Sequence, residues 1–380
     1  MDRLQKDLSE NSNWAHIKWV IVPFVTFLLI STTALAAPPI GQSARILSPR
    51  NFPGWQSQNV CFPFVLKDAS AGGYRMFYCG SASEQWNDSV AEQWVTGYVT
   101  STDTTTWRYP DNFEQVLFAR KLYEGDVVDP VVMAAAFDSM YATGACVILD
   151  GGVYKCWYTG WNGETEHAGQ GSTTKVNFRI GYATSPNTIA WTKTPGSAGA
   201  GSVLGLGSAR GGENKGVAHP HVLKENGTYR MWYEGYDGKL WKLYYATSTD
   251  GVNWTRVGQA LAPGGGRSMD QLGLRNAMVI RRNNQYELWY QGQSSVAPNY
   301  HILRATSNDG NLWVKIPQEV VLHPTPALSG SEGIHVDSAI VQANQSVQLF
   351  FAKQTATTST LTNGSNTICN FAIYTEVVNP

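Results

Sequence analysis

A short aromatic strand recurs five times in this chain: "MFYCG" from Met76, "CWYTG" from Cys156, "MWYEG" from Met231, "LWYQG" from Leu288 and a degenerate "LFFAK" from Leu349. The copies are spaced at roughly 60 to 80 residues, the period of four-stranded propeller blades that carry some long loops. Five copies predict an all-β, five-bladed β-propeller. Around each copy the pattern alternates with period two, as in Tyr229, Met231 and Tyr233 against Arg230, Trp232 and Glu234. "LDGG" and "ENGT" supply the Asn, Asp and Gly that tight hairpins need at positive φ. A third strand then runs into a turn ending in Trp107, Trp191, Trp254 or Trp313, and no fifth such Trp follows. Ring closure therefore needs a strand from elsewhere. "ARILSP", from Ala44, resembles the pieces "QALAP" and "VVLHP" that close the third and fourth units. It is expected to pair as the outer strand of the fifth blade, which removes the exposed edges. "SAGAGS" near Ala198 and "TATTSTLTNGSNT" near Thr355 read as flexible loops.

With 43% hydrophobic residues the chain can bury a sizeable core. Its 28 basic and 29 acidic residues nearly cancel and form no basic stripe, so a nucleic-acid partner is not expected. The apolar run "WVIVPFVTFLLI", Trp19 to Ile30, is short for a membrane span, and Ala34, Leu35 and Ala36 fit a small-x-small cleavage pattern. This predicts a signal peptide over 1–36 and one propeller domain over 37–380, secreted or periplasmic, monomeric and free of the membrane once cleaved. An uncleaved anchor is the alternative. In such a compartment Cys61 with Cys79, and Cys146 with Cys156, could bridge neighbouring strands; buried free thiols are the other possibility.

The inner strands of all five blades run the same way, so equivalent positions form rings around a central channel. One ring, at the entrance, is expected to hold Gln56, Asp138, Glu213, Asp270 and, with a one-residue slip, Glu332. A second, six residues on, holds Phe62, Gly144, His219, Asn276 and Asp337. Carboxylates converging on one channel mouth would shift one another's pKa, as acid/base catalysis requires. Asp138, Glu213 and Asp270 are thus catalytic candidates, with capping of the strand entrances as their architectural alternative. His219, Arg275, Asn276, Glu332, His335 and Asp337 are candidates for binding sugar hydroxyls, and tryptophans for stacking on sugar faces. "EGDVVDP" adds Glu124, Asp126 and Asp129 ahead of the second blade, in an active-site loop or a solvated turn. "HPH" places the His219 and His221 imidazoles on one face of a strand, as a metal or central-ion site would, but no third ligand accompanies them, and neither metal nor cofactor is expected.

"YRMWYEG" together with "YYATSTDGVNW" resembles the five-bladed propeller superfamily of glycoside hydrolases that includes arabinanases, β-xylosidases, invertases and levansucrases. The resemblance implies cleavage of glycosidic bonds in a poly- or oligosaccharide, with Glu213 as general acid and Asp138 and Asp270 as base or nucleophile and stabiliser. Gln56 and Phe62 stand where the resemblance implies a first-blade Asp. That keeps a carbohydrate-binding, lectin-like propeller as the alternative. "STDGVNW" also looks like the Asp-box of sialidases, one residue short.

Overall fold

Each aromatic repeat is the second strand of an antiparallel blade. The computed structural model describes residues 43–48, 59–68, 72–81, 94–109, 136–139, 141–167, 173–295, 300–316, 333–357 and 368–378. The segment expected to be a signal peptide, Gln56, Glu332 and the acidic residues of "EGDVVDP" lie outside them. From the inner strand outwards, blade 1 comprises Asn59–Asp68, Gly73–Ser81 and Val95–Ser101, and a paired bridge at Arg108 marks its outer edge. Blade 2 comprises Tyr141–Asp150, Val153–Trp161, Arg179–Ser185 and Thr192–Lys193. Blade 3 is Gly216–Glu225, Thr228–Tyr236, Trp241–Ser248 and Thr255–Leu261; blade 4 is Gly273–Arg282, Gln285–Gln293, Tyr300–Ser307 and Val314–Lys315. Blade 5 joins Ile334–Val341, Val347–Thr357 and Ile368–Val378 to Ala44–Leu47. That last pairing, Ala44 opposite Thr375, closes the ring with the N-terminal strand as expected.

The hairpin turns follow their chemistry: Asn226 and Gly227, Gly151 and Gly152, and Asn283 and Asn284 all have positive φ. Alternation sends each face of a blade to a different neighbour. Tyr229, Met231 and Tyr233 pack with Cys146 and Trp157 of blade 2, whereas Trp232 packs with Val279, Tyr286 and Leu288 of blade 4. Trp157 and Trp232 are fully buried, which stabilises by about 1.5–3 kcal/mol or more for each such side chain.

The repeated Trp has a second task. Trp157 Nε1 donates to Gly251 O and Trp232 Nε1 to Gly310 O, both at 2.7 Å, so the second strand of one blade grips the turn of the next. Those turns share one construction. Ser248 Oγ donates to Asp250 Oδ1, while Val252 N and Asn253 N donate to the same oxygen; Ser307 and Asp309 repeat the scheme. Phe77, Trp157, Trp232 and Phe350 meet Trp191, Trp254, Trp313 and Trp107 of the following blade edge-on, with centroids 6.1 to 6.4 Å apart. The last contact, from blade 5 to blade 1, runs across the closure.

Two expectations need correction. Cys146 and Cys156 are free thiols, and a register shift between Thr143 and Cys146 sets Cys146 opposite Trp157, so the two sulfurs point to opposite faces. Cys146 joins the core shared with blade 3, Cys156 the core shared with blade 1. Cys61 stands directly opposite Cys79, but no bridge forms there either: Cys79 is a free thiol, and its sulfur accepts from Gly144 N at 3.3 Å. The "SAGAGS" loop is a hydrogen-bonded turn rather than a loose one: Gly196 N donates to Gly201 O and Ala198 N to Ser202 O.

Candidate active site in the central channel

Asp138, Glu213 and Asp270 each lie three residues ahead of an inner strand, as the repeat predicts. Each is packed over the glycine of its blade's aromatic repeat. A Cβ on Gly160 would lie 2.6 Å from Asp138 Cβ, one on Gly235 2.8 Å from Glu213 Cβ, and one on Gly292 2.9 Å from Asp270 Cβ. That close approach explains the glycine in "WYTG", "WYEG" and "WYQG". Tyr158 donates to Asp138 at 2.8 Å and Tyr290 to Asp270 at 3.1 Å, and Tyr233 lies against Glu213. A cation from the outer strand completes each set: Lys193 at 2.5 Å from Asp138, Arg256 at 2.7 Å from Glu213 and Lys315 at 2.5 Å from Asp270.

What surrounds each of these carboxylates is therefore a cation and a tyrosine, not another carboxylate. The expected mutual repulsion is absent from their contacts. Burial raises the Glu213 carboxyl above the usual range, although Arg256 opposes it. Burial acts the same way on Asp270, but Lys315 outweighs it and leaves that group low.

The second ring forms as a ring. Every inner strand carries a register shift at this level, and in four blades the residue there is left-handed: Phe62 at φ 52°, Gly144 at 59°, His219 at 46° and Asn276 at 49°. In blade 5 the pairing runs one residue further, to Val336 opposite Phe351, and Asp337 stands out of register. Three non-glycine side chains in left-handed backbone at one level is a costly arrangement of the kind found at functional sites. The bulge turns the ring inwards: Phe62, Gly144, His219, Asn276 and Asp337 line a small central cavity, together with Phe64, Ala145, Pro220, His221 and Ala277.

Neighbouring blades lock this ring. Gly144 N donates to Cys79 Sγ, His219 N to Thr159 Oγ1 at 2.8 Å and Asn276 N to Glu234 Oε1. Each acceptor occupies the same place in its repeat, the residue just before the glycine. Glu234 is the charged member, and it does more: His219 Nδ1 lies 2.9 Å from Glu234 Oε1, and Arg275 Nε 3.6 Å from Glu234 Oε2. Burial would raise the Glu234 carboxyl, but His219, Arg275 and the Asn276 N–H outweigh it and hold it below its ordinary value.

Across the cavity His335 Nδ1 lies 2.7 Å from Asp337 Oδ2, and burial pushes the Asp337 carboxyl up. Phe62 lies between the two imidazoles, 5.0 Å from His219 and 4.7 Å from His335 between centroids. His221 is buried, its pKa pushed down to about 4, with Nδ1 facing Val279 N at 3.5 Å. The two imidazoles of "HPH" thus have separate partners. Arg275 lies over the Trp241 ring, 5.0 Å from its centroid, and Trp241 stacks on Tyr236.

Of the sugar-binding candidates, His219, Asn276 and Asp337 line the cavity, with His335 and Arg275 attached to it through Asp337 and Glu234. Asp138, Glu213 and Asp270 are held at the edges of their own blades. Sequence reasoning did not single out Glu234. The signal was present: a lone acid at a repeat position that elsewhere holds Cys79, Thr159, Gln291 and Ala352.

Fold and cavity together define a five-bladed propeller whose centre holds two histidines, an asparagine and an aspartate among mainly apolar neighbours. No protein-family profile matches the chain. Two uncharacterized proteins of Mycobacterium tuberculosis, Rv1502 and MT1551, are each 32% identical over 133 residues, a stretch covering 34% of this chain and 39% of theirs. The match thus spans well under half the length of those relatives. Among solved structures, a glycosyl hydrolase from Bacteroides ovatus is similar at 18% identity and TM-score 0.58, over 90% of this chain and 94% of that one. A β-1,2-mannobiose phosphorylase from Listeria innocua is similar at 10% identity and TM-score 0.59, over 88% and 96%. A structure described with the GH130 family of mannoside phosphorylases, said to contain hydrolases of β-1,2 mannosidic linkages in Candida mannan, gives 18% and 0.56 over 89% and 95%. At these identities the likeness establishes the fold.

Proposed function

We propose that this protein is an exported, monomeric carbohydrate-active enzyme that cleaves a glycosidic bond of an oligo- or polysaccharide in its central cavity. The observation that carries the reading is the divergence of two buried carboxyl groups, one lining the cavity and one behind its histidine: Asp337 is pushed up by burial, while Glu234, in contact with His219, is held low by His219, Arg275 and a backbone N–H. Environments that drive paired titratable groups apart mark acid and base roles. Asp337 is the proton donor to the departing glycosidic oxygen, and the opposite wall accepts the proton of the attacking nucleophile. Glycosidases and phosphorylases of the same fold support the class, and arabinofuranosides and xylosides are the first substrates that the sequence resemblance suggests.

Asp138, Glu213 and Asp270 enter this reading as groups that fasten each inner strand to its blade. The same acid, tyrosine and cation recur in three blades, whereas a catalytic centre is needed once. A carbohydrate-binding propeller without turnover is the second reading. The observation favouring it is Phe62, which fills the first-blade ring position where the resemblance implies an Asp.

The test is a panel of aryl glycosides and plant and microbial polysaccharides, run with and without inorganic phosphate. Free sugar means hydrolysis, sugar phosphate formed only with phosphate means phosphorolysis, and Asp337→Asn is expected to abolish either. Silence across the panel with binding by calorimetry would replace the enzyme by the binding propeller.

A further inference from the structure

Three of the five repeats build nearly the same lock at one position, so the departures within it are informative. At the place before the repeat glycine, Cys79 and Thr159 each accept one backbone N–H from the next blade's bulge and do no more in that lock. Glu234 accepts the corresponding N–H of Asn276 and also faces the His219 ring and the Arg275 guanidinium. A carboxylate is not needed for the lock, since a thiol and a hydroxyl serve elsewhere. It is needed for the histidine.

His219 is held on every side. Its N–H bonds Thr159, its ring lies against Phe62, and a Cβ on Gly144 would come within 3.0 Å of its Cδ2, so only glycine leaves the ring its place. With Nδ1 committed to Glu234, the proton sits on Nδ1 and Nε2 keeps its lone pair. His219 lines the cavity, and Glu234, which is fully buried, does not.

We infer that His219 is the general base of the proposed cleavage and that Glu234 is its positioning residue, fixing the imidazole in the Nδ1–H tautomer with Nε2 available to the cavity. In the hydrolytic case a water oxygen bonds to the anomeric carbon as the glycosidic C–O bond breaks. The water's proton passes to His219 Nε2, and Asp337 gives its proton to the departing oxygen. The imidazolium so formed is stabilised by Glu234. Both groups then return to their starting protonation by exchange with solvent. This inference rests on the catalytic reading, but the orientation of His219 can be tested without it. Besides Glu234, the charged and titratable groups around the ring are Arg275, Asp337, His335 beyond Phe62, and His221 two residues on.

The experiment follows the His219 ring by NMR in the full-length protein labelled with ¹⁵N-histidine, assigned with His219→Asn, in the native sequence and in Glu234→Gln. Glutamine retains a carbonyl that can accept Asn276 N–H, which protects the fold, and a thermal melt checks it; Glu234→Asp is the conservative companion. In the native protein the Nδ1–H tautomer should dominate. In Glu234→Gln the ring's ¹⁵N shifts should move away from the Nδ1–H pattern, since the carboxylate partner of Nδ1 is lost. An unchanged tautomer would overturn the inference whatever the activity. Where the glycoside panel yields turnover, Glu234→Gln should lower kcat tenfold or more with KM within about threefold, and displace the acid limb of the pH profile. The double variant with His219→Asn should be no slower than His219→Asn alone. Additive losses would overturn the positioning role. A silent panel would remove the catalytic step, and with it the base role, while the NMR result still decides whether Glu234 sets the ring.

Discussion

Replacing Asp270 by Asn separates the architectural role of the strand-entry acids from a catalytic one. Asp270 accepts from Lys315 at 2.5 Å, from Tyr290 at 3.1 Å and from Gly264 N at 2.9 Å, and only 2% of the residue is exposed. Asparagine keeps the shape and one carbonyl acceptor, so the Gly264 bond survives. The NH2 then takes the place of the oxygen to which Tyr290 donated, so the hydroxyl must turn to accept from it and a charged bond becomes a neutral one, a loss of about 1 kcal/mol. Lys315 is 30% exposed and can turn to water, so its ion pair is discounted to about 0.5–1 kcal/mol. The total is about 2 kcal/mol. With an unfolding entropy near 2.1 cal/mol/K per residue, a propeller of ~340 residues loses about 3 °C in Tm for that change. Differential scanning calorimetry at pH 7 reads the shift, and the glycoside panel reads turnover. The reasoning expects a lower Tm with turnover largely retained, and a smaller shift for Asp138→Asn, whose Lys193 is 40% exposed. An unchanged Tm with turnover abolished would refute it and restore these acids to the chemistry.

Trp232→Phe preserves a ring but strands Gly310 O, so it should cost about 2–3 kcal/mol in chemical denaturation, counting the lost bond and the unsatisfied carbonyl. Gly144→Ala combines a left-handed backbone with a Cβ 3.0 Å from His219, and should both destabilise by about 1–2 kcal/mol and lower turnover; Gly227→Ala, left-handed with open space around it, should show the destabilisation alone. Stability should fall as pH drops below about 4, the unperturbed carboxylate range. Asp250 and Asp309 lie low mainly because turn N–H groups donate to them, and Asp270 because Lys315 outweighs burial; each stabilises above its unfolded pKa and loses that contribution on protonation. Glu213 and Asp337, raised by burial, act in the opposite sense, so the fall of Tm between pH 5 and 2 should be shallower than the three low groups alone would give. Burial pushes the Cys79 and Cys146 thiols up to about 12, so iodoacetamide at pH 8 should label them only after unfolding, as mass spectrometry would show.

Much of the architecture was legible because its determinants are local or repeated. Strand alternation, the Asn and Gly of the hairpins and the recurring aromatic repeat specify blades, their number and their order. The resemblance of "ARILSP" to the other outer strands was enough to foresee that the N-terminus closes the ring. The ring map also held: Phe62, Gly144, His219 and Asn276 do occupy one level, because equivalent residues of a repeat occupy equivalent places. Harder to read were the partners of the acids. Asp138, Glu213 and Asp270 were placed correctly along the chain, yet their nearest cations, Lys193, Arg256 and Lys315, lie some 40 to 55 residues away on outer strands.

By itself, then, the sequence determined a closed ring of five blades and the level at which its inner strands turn. Tertiary structure alone decided which polar groups meet at the centre. A bulge of one residue reverses the side to which every following side chain points, which sent Cys146 away from Cys156 and brought His219 into the cavity. Glu234 reaches His219 and Asn276 only because two inner strands and a second strand converge across blade boundaries, and no local pattern encodes a distance between blades.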